Sequence, residues 1–210
     1  MNRRGRLVVV SAPSGTGKST VCGLLRQRRP EVAVSISYTT RPPRGHERNG
    51  VEYHFVDEAA FDDMVAAGQF LEWARVHDHR YGTARRDVER LLEQGRDVLF
   101  DIDIQGGLQI RRQVPEALLI FLLPPSLQEL LRRLQGRATE SPAQIRRRLE
   151  TAVAELEQCR HYQWLVVNDD LEGAVDQVDE IRLGRAVAGE RPTELVERLR
   201  RDIENRLRSW

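Results

Sequence analysis

The sequence predicts an α/β fold in which a parallel β-sheet is covered by helices on both faces. Short apolar runs rich in β-branched residues recur along the chain, and helical patterns lie between most of them. Such runs are typical of strands buried on both faces, and helical crossovers are the usual connections between parallel strands. The first run ends in a glycine-rich turn that leads into a helix, which is the start of an alternating strand–helix pattern.

Five strands and six helices make up this alternating part of the chain. The predicted strands are 7–10, 33–37, 97–103, 118–123 and 164–168. The predicted helices are 18–29, 84–94, 106–114, 126–135, 142–161 and 171–187.

Residues 38–83 interrupt the alternation. The segment begins rich in Pro, Gly and Arg, and it continues with a strand-like EYHFVD, a short helix AAFDDMVAAG and a second strand-like FLEWARVH. We interpret it as a small inserted α+β subdomain with its own antiparallel sheet, in which residues 80–83 form a turn.

Two further segments complete the predicted organisation. Residues 135–142 are polar and glycine-containing, which indicates a lid over 131–162, and residues 191–210 form an amphipathic helical tail. The core then consists of 1–37, 84–130 and 163–190. The tail carries an apolar stripe that must be covered by its own core or by a second chain, as in a homo-oligomer: Leu195, Val196, Leu199, Ile203 and Leu207.

Composition excludes several classes of protein. Among 210 residues, 33 Lys and Arg balance 32 Asp and Glu, so no global field attracts nucleic acid or an acidic membrane. No apolar run approaches the ~20 residues of a membrane span. The two cysteines, Cys22 and Cys159, lack the spacing of a zinc site or a disulfide framework, so we expect a reducing, cytoplasmic location.

The loop after the first strand carries the clearest chemical signal. Its sequence is a phosphate-loop template with Ala in place of the first Gly: Ala12, Pro13, Ser14, Gly15, Thr16, Gly17, Lys18, Ser19 and Thr20. Positive φ at the two glycines would let backbone N–H groups surround phosphate oxygens. Lys18 would bridge the β and γ phosphates of ATP, and the Ser19 hydroxyl would ligate Mg²⁺. Lys18 is the single lysine beside 32 arginines, which sets it apart from a generic positive charge.

Two carboxylates lie at the end of the third predicted strand. Asp101 and Asp103 lie two residues apart, so they point to the same side at the carboxyl edge of the sheet, where ligands of open α/β sheets bind. One interpretation is a direct or indirect partner of Mg²⁺. The alternative is an N-cap for the helix that follows.

Two arginines stand close together in the insertion. Arg41 and Arg44 are separated by two prolines, and paired guanidinium forks on a stiff backbone suit a phosphate monoester. Tyr53 and Tyr81 could add hydroxyl donors. A solvated basic loop is the alternative.

Glu72 lies in the apolar stretch FLEWA. A carboxylate in such a place is either ion-paired or available to accept paired N–H donors, such as the N1/N2 edge of guanine.

The ordered motifs together resemble the guanylate kinase family in its bacterial form, whose members phosphorylate GMP to GDP with ATP. The resemblance covers residues 5–186 and rests on APSGTGKST, SYTTRPPR, EYHFV, FLEWA, RYGT, LFDIDIQG, LPPS, GRATES, RRRL and VVNDD. It implies a P-loop NTPase-type core with a parallel sheet and flanking helices, an inserted GMP-binding subdomain and a helical lid. It also implies ATP, GMP and dGMP as substrates and Mg²⁺ as the cofactor.

The resemblance assigns roles to individual residues. The GMP phosphate would be held by Arg41, Arg44, Tyr53 and Tyr81, and guanine by Ser37, Glu72, Thr83 and Asp103. Asp101 would lie near Mg²⁺ and Asn168 near adenine, while Arg133, Arg137 and Arg148 would close on the transferring phosphates. One departure affects the loop after Arg44, where His46 rather than glycine precedes Glu47.

Two other functions use the same scaffold. Guanylate-kinase-like domains of scaffolding proteins bind phosphopeptides, but they typically lack an intact phosphate loop. A sugar-phosphate kinase would have no use for Glu72 and Asp103 at a guanine edge.

Overall fold

A computed structural model describes residues 3–76, 78–135, 141–187 and 191–210. The strands are β1 (Leu7–Ser11), β2 (Ala33–Val34), β3 (Tyr38–Thr39), β4 (His54–Phe55), β5 (Phe70–Val76), β6 (His79–Ala84), β7 (Val98–Asp101), β8 (Leu118–Leu123) and β9 (Trp164–Val167). The helices are α1 (Lys18–Arg28), α2 (Glu58–Ala66), α3 (Arg85–Glu93), α4 (Ile104–Gln113), α5 (Leu127–Gln135), α6 (Pro142–Glu157), α7 (Leu171–Leu183) and α8 (Thr193–Arg208).

The main sheet confirms the predicted α/β fold. Its five strands follow the order β2-β7-β1-β8-β9, and both β2–β7 and β8–β9 are parallel pairs. All five residues of β1 are buried, as expected for a central strand covered on both faces. Three strands are shorter than predicted. β2 has only two residues at the sheet edge, β7 stops at Asp101 because α4 begins at Ile104, and β9 ends one residue early at Val167.

The inserted segment contains a second sheet, of order β4-β3-β6-β5. The β3–β6 and β5–β6 pairs are antiparallel, but β3 and β4 run parallel. The prediction of a wholly antiparallel sheet is therefore wrong. The long connection between β3 and β4 returns the chain to the same end of the sheet, and this permits the parallel pair.

The predicted turn at residues 80–83 is also wrong, because these residues lie within strand β6. Gly82 is needed for packing rather than for turning: a Cβ there would lie 2.9 Å from ring atoms of Phe70. Gly82 pairs with Trp73 on β5, whose Cβ would lie 3.0 Å from a Cβ at Gly82, so the missing side chain makes room for both neighbours.

Chain contacts divide the described protein into two compact units. One holds the residues up to Val8, Pro30–Phe100 and Gln105–Ala117, and it contains the four-stranded sheet. The other holds Val9–Arg29, Asp101–Ile104 and the chain from Leu118 onward. None of the helices in the described ranges combines the length and apolar character needed to cross a membrane.

Helix α6 begins with a capping box between Ser141 and Gln144, and Pro142 occupies its first turn. The predicted helix over 142–161 ends four residues early, at Glu157, and a 3-10 turn continues it to His161. Helix α7 ends at Gly184, whose φ of 70° is unfavourable for other residues, so it does not extend to Val187.

The C-terminal helix α8 packs against α6 and α5 of its own unit. Leu199 and Ile203 are fully buried, and Arg200 Nη2 donates to Glu157 Oε1 at 2.7 Å. The centre of the predicted apolar stripe is thus covered within the chain and does not require a second copy.

We expect Leu199→Ala to lower the free energy of unfolding by about 2–5 kcal/mol, because the substitution leaves a cavity between helices. Chemical denaturation followed by circular dichroism measures this loss. Leu207 is half-buried in the last turn of the same helix, so Leu207→Ala is the matched control and should lower the free energy of unfolding clearly less. Equal losses in the two variants would contradict the docking of α8 through Leu199.

Candidate active site at the phosphate loop

The loop between β1 and α1 has the conformation that anion binding requires. Gly15 and Gly17 have φ of 89° and 94°, as predicted from their positions in the motif. Left-handed glycines at such spacing turn successive N–H groups toward one side, where the positive end of the α1 dipole adds to their field. The loop can therefore receive a phosphate group.

The carbonyl of Thr16 is held by two side chains from other elements of the unit. Asn168 Nδ2 donates to Thr16 O at 2.7 Å, and Arg133 Nη1 donates to the same oxygen at 2.9 Å. Arg133 Nη2 donates in addition to Asn168 O at 3.0 Å. These bonds satisfy the carbonyl of a buried residue and fix its orientation.

Both loop glycines also make room for neighbouring side chains. A Cβ at Gly17 would lie 2.7 Å from Asn168 Nδ2, and one at Gly15 would lie 2.7 Å from a methyl group of Leu134. Substitution at either position would thus strain the backbone and displace the groups that support the loop.

Arg133 is held by Glu129 one turn earlier on α5, with Nε 2.6 Å from Oε1. The guanidinium groups of Arg132 and Arg133 lower the pKa of Glu129 to about 2, so this carboxylate stays charged near neutral pH. Because Arg133 donates to Thr16, to Asn168 and to Glu129, the structure favours a supporting role over direct contact with a phosphate.

Lys18, at the first position of α1, contacts the Asp101 carboxylate at the end of β7. The Lys18 amine and Asp101 are both partly exposed, and Ser19 follows on the exposed side of the helix. Cys22 lies one turn further and is buried. Burial and the charge of Asp101 raise its pKa to about 12, so the thiol is inert and structural.

The donors around Lys18 fit a magnesium ion. Asp101 supplies a carboxylate oxygen and Ser19 a hydroxyl oxygen, which are hard ligands. Mg²⁺ in nucleotide sites commonly uses one or two such protein ligands and takes the others from water and phosphate. Asp103, by contrast, accepts a hydrogen bond from Ser11 Oγ at its backbone carbonyl and directly precedes α4.

The loop is also contacted from helix α6. Arg148 Nη1 donates to Ser14 Oγ at 3.0 Å, so Arg148 is the member of the Arg146–Arg148 triplet that faces the loop. Arg137, the other predicted lid arginine, lies outside the described residues.

A second cluster in the other unit gathers the residues predicted to hold a phosphate monoester. Arg41 is buried, and its guanidinium lies 5.3 Å from the centre of the Tyr53 ring. Hydrogen bonds to Glu47 and to the Tyr81 hydroxyl raise the pKa of Arg41. The rings of Tyr53 and Tyr81 are 5.9 Å apart, centre to centre. Arg41 and both tyrosine rings therefore lie together.

Glu47 completes this cluster and was not among the predicted site residues. Its Oε1 accepts from Arg41 Nη2 at 2.9 Å, and its Oε2 accepts from the Arg44 backbone N–H at 2.8 Å. These partners lower the pKa of Glu47. The sequence signal that could have identified Glu47 is its spacing, six residues after Arg41 and three after Arg44. Gly45, with φ of 53°, supplies the turn one position earlier than the family pattern does.

Glu72 and Thr83 face each other across β5 and β6. Both are buried, and Thr83 Oγ1 donates to Glu72 Oε1 at 2.6 Å. Paired residues share a face of a sheet, and so do residues two apart along a strand, so Tyr81 lies on the same face as Thr83. The predicted guanine-reading residues Glu72 and Thr83 thus occur together. Ser37 precedes β3 in this unit, whereas Asp103 belongs to the unit of the phosphate loop.

A parallel α/β sheet with a glycine loop, a lysine and a helix at the carboxyl end of its central strand defines a P-loop NTPase. The guanylate kinase family profile matches residues 4–182. A guanylate kinase of Syntrophotalea carbinolica is 47% identical over 91% of each chain, and one of Thermobifida fusca is 52% identical over 82% of this chain and 88% of its own. The crystal structure of guanylate kinase from Anaplasma phagocytophilum superposes with a TM-score of 0.65 at 30% identity, covering 87% of each chain. The chain belongs to the guanylate kinase family.

We expect Arg133→Lys to lower kcat/KM for ATP about tenfold, because one ammonium group cannot bond Thr16 O, Asn168 O and Glu129 together. Steady-state kinetics with varied ATP measures the effect. Arg132→Lys is the matched control, since Arg132 lies exposed beside it and bonds Glu129. A loss of similar size in the control would contradict the support role of Arg133.

Proposed function

We propose that this chain transfers the γ-phosphoryl group of Mg·ATP to GMP or dGMP and releases ADP and GDP or dGDP. The proposal is carried by the phosphate loop, whose carbonyl at Thr16 is anchored by Asn168 and Arg133 while Lys18 lies at the start of α1. The phosphate-monoester cluster around Arg41 supplies the second substrate site in the same chain.

The donor site is assigned to residues 12–20. Their N–H groups surround the β phosphate, and Lys18 bridges the β and γ phosphates as a compact charge. Asn168 and Arg133 keep the loop in this form. Arg148 and Arg137 add positive charge as the γ-phosphoryl group moves, because charge spreads over its equatorial oxygens.

The acceptor site is assigned to the cluster on the smaller sheet. Arg41, Arg44, Tyr53 and Tyr81 hold the phosphate of GMP. A guanidinium has five N–H donors, so Arg41 can keep its bond to Glu47 while it binds phosphate oxygens. Glu47 then orients Arg41.

The base is assigned to Glu72, Thr83, Ser37 and Asp103. The Glu72 carboxylate accepts the N1 and N2 hydrogens of guanine, and the Thr83 hydroxyl orients it. A site built on a buried acceptor rejects a base that lacks the matching donors.

Mg²⁺ would be held by Ser19, directly or through water by Asp101, and by phosphate oxygens. When bound, it neutralises charge on the phosphates. These residues fit the ion without providing a complete protein cage, which is usual for nucleotide kinases.

The reaction forms a bond between a phosphate oxygen of GMP and the γ-phosphorus and breaks the bond from that phosphorus to the β-bridging oxygen. The protein has little covalent chemistry to perform, so positioning and electrostatic stabilisation supply the rate. The motifs require no general base.

The proposed division of labour follows the sequence boundaries. Residues 38–83 bind GMP, residues 131–162 form a lid that includes both Arg137 and Arg148, and the tail over 191–210 supports the lid helix α6. Closing of the lid brings its arginines to the phosphates and excludes water.

The cell compartment is proposed from the cysteines. Cys22 and Cys159 are both free and buried, as suits a protein of the reducing cytoplasm.

The competing functions on this scaffold differ in what they need. A phosphopeptide-binding domain has no need of the supported loop around Thr16. A sugar-phosphate kinase has no need of the buried Glu72–Thr83 pair. Specificity for the base of the substrate therefore distinguishes a GMP kinase from a sugar-phosphate kinase.

A substrate panel tests this function together with the role of Glu72. ADP formation should be rapid with GMP and dGMP and slow with AMP and UMP. In Glu72→Gln, kcat/KM for GMP should fall by a factor that corresponds to about 1–3 kcal/mol of transition-state stabilisation, because the amide mismatches a guanine donor. Glu89→Gln, on the exposed side of α3, is the control. Unchanged GMP kinetics in Glu72→Gln would refute the guanine assignment, and no ADP formation with GMP would refute the function.

Lys18 offers an independent test because it is the only side-chain amine in the chain. An amine-directed reagent followed by mass spectrometry should modify Lys18 in the empty enzyme, and Mg·ATP should protect it better than GMP does. Labelling of the α-amino group serves as the control, because it measures any general change in the reactivity of the reagent. Equal labelling with and without Mg·ATP would contradict the donor-site assignment.

Lys18→Arg should also lower activity steeply, although 32 positions already use arginine. A planar fork cannot take the place of a compact ammonium in a tight loop.

A further inference from the structure

Helix α6 contacts the phosphate loop through a second side chain besides Arg148. Glu155 lies seven residues after Arg148, about two helical turns along the same face. The backbone N–H of Ser14 donates toward the Glu155 carboxyl group, while Arg148 holds the Ser14 hydroxyl. Ser14 is thus contacted by two side chains of one helix.

The setting of Glu155 differs from that of the other glutamates on α6. Glu150 pairs with Arg146, and Glu157 pairs with Arg200, both at the surface. Glu155 has a buried Oε2 with no hydrogen-bond partner among the described residues. A buried carboxylate oxygen without a partner is costly, so an ordinary surface role does not account for this residue.

The charge on Glu155 depends on its surroundings. Burial, and to a smaller extent the nearby Asp103, raise the pKa of Glu155, whereas the Ser14 N–H and Lys18 lower it. Together they bring it to about 7. The charged groups that act on it are therefore Asp103 from the segment after β7 and Lys18 from α1. Both protonation states retain an oxygen that can accept the Ser14 N–H.

We infer that Glu155 is a positioning residue of the phosphate loop, which it anchors at Ser14 while Asn168 and Arg133 anchor it at Thr16. The two anchors lie on opposite sides of Gly15, and they fix the part of the backbone whose N–H groups receive phosphate. The inference rests on the proposed assignment of this loop to ATP.

The position of the carboxyl group gives the anchor a second property. An ionised Glu155 opposes the binding of a polyphosphate in the adjoining loop, whereas a protonated Glu155 does not. The affinity for ATP should then fall as Glu155 loses its proton with rising pH. A neutral isostere at this position should remove that dependence.

The experiment compares Glu155→Ala, Glu155→Gln and the control Glu150→Gln in the full chain. The dissociation constant of Mg·ATP is measured by calorimetry from about pH 6 to about pH 8, the range in which this group titrates. KM for GMP and the thermal midpoint are measured alongside. The ratio of each variant to the wild type cancels the ionisation of the nucleotide itself.

We expect Glu155→Ala to weaken Mg·ATP binding about tenfold, as for one lost hydrogen bond to a charged group, with KM for GMP changed less than about twofold. Glu155→Gln keeps an acceptor for Ser14, so it should bind Mg·ATP as the wild type does or more tightly. The advantage of Glu155→Gln over the wild type should grow at least about threefold toward high pH. Glu150→Gln should match the wild type.

Other results overturn the inference. These are a lower thermal midpoint of Glu155→Ala with unchanged Mg·ATP affinity, equal losses for Mg·ATP and GMP, or a Glu155→Gln variant whose ratio to wild type does not vary with pH. Failure of the ATP assignment itself is recognised separately, by Lys18→Ala binding Mg·ATP as well as the wild type does.

Discussion

The site depends first on the hydrogen bonds that hold the Thr16 carbonyl. Backbone N–H groups can surround an anion only when the intervening carbonyl points elsewhere and is satisfied there. Asn168 follows the edge strand β9, and Arg133 comes from α5, so two distant segments serve one peptide group. The phosphate loop is in this sense a product of the whole unit and not of its own nine residues.

Some arginines of this chain stabilise the fold and others belong to the candidate site. The residue type alone does not tell which role an arginine has. Arg80 lies 4.6 Å from the Phe61 ring centre and bonds Asp62, which makes it part of the insertion's core. Arg41, which follows β3 of the same small sheet and is also buried, lies instead with two tyrosine rings. The direction in which each side chain leaves the backbone decides its use.

Carboxylates complement these arginines at the site. Glu47 holds Arg41 and the Arg44 backbone, Glu129 holds Arg133, and each is kept ionised by its partners. A guanidinium that is already oriented loses less conformational freedom when a phosphate binds. The carboxylates therefore contribute to phosphate affinity although they are negatively charged like the phosphate. Glu155 is the exception, because no arginine of the described residues forms an ion pair with it.

Local patterns in the sequence determined the alternation of strands and helices, the phosphate loop and the candidate residues Arg41, Glu72 and Lys18. These depend on hydrophobic periodicity, glycine spacing and neighbours in the chain, all of which a sequence contains. The tertiary structure alone decided that residues 80–83 form a strand, because Gly82 serves the packing of Phe70 rather than a turn. It alone showed which side chains hold Thr16 and Ser14, because contacts between residues more than a hundred positions apart arise only when the chain folds.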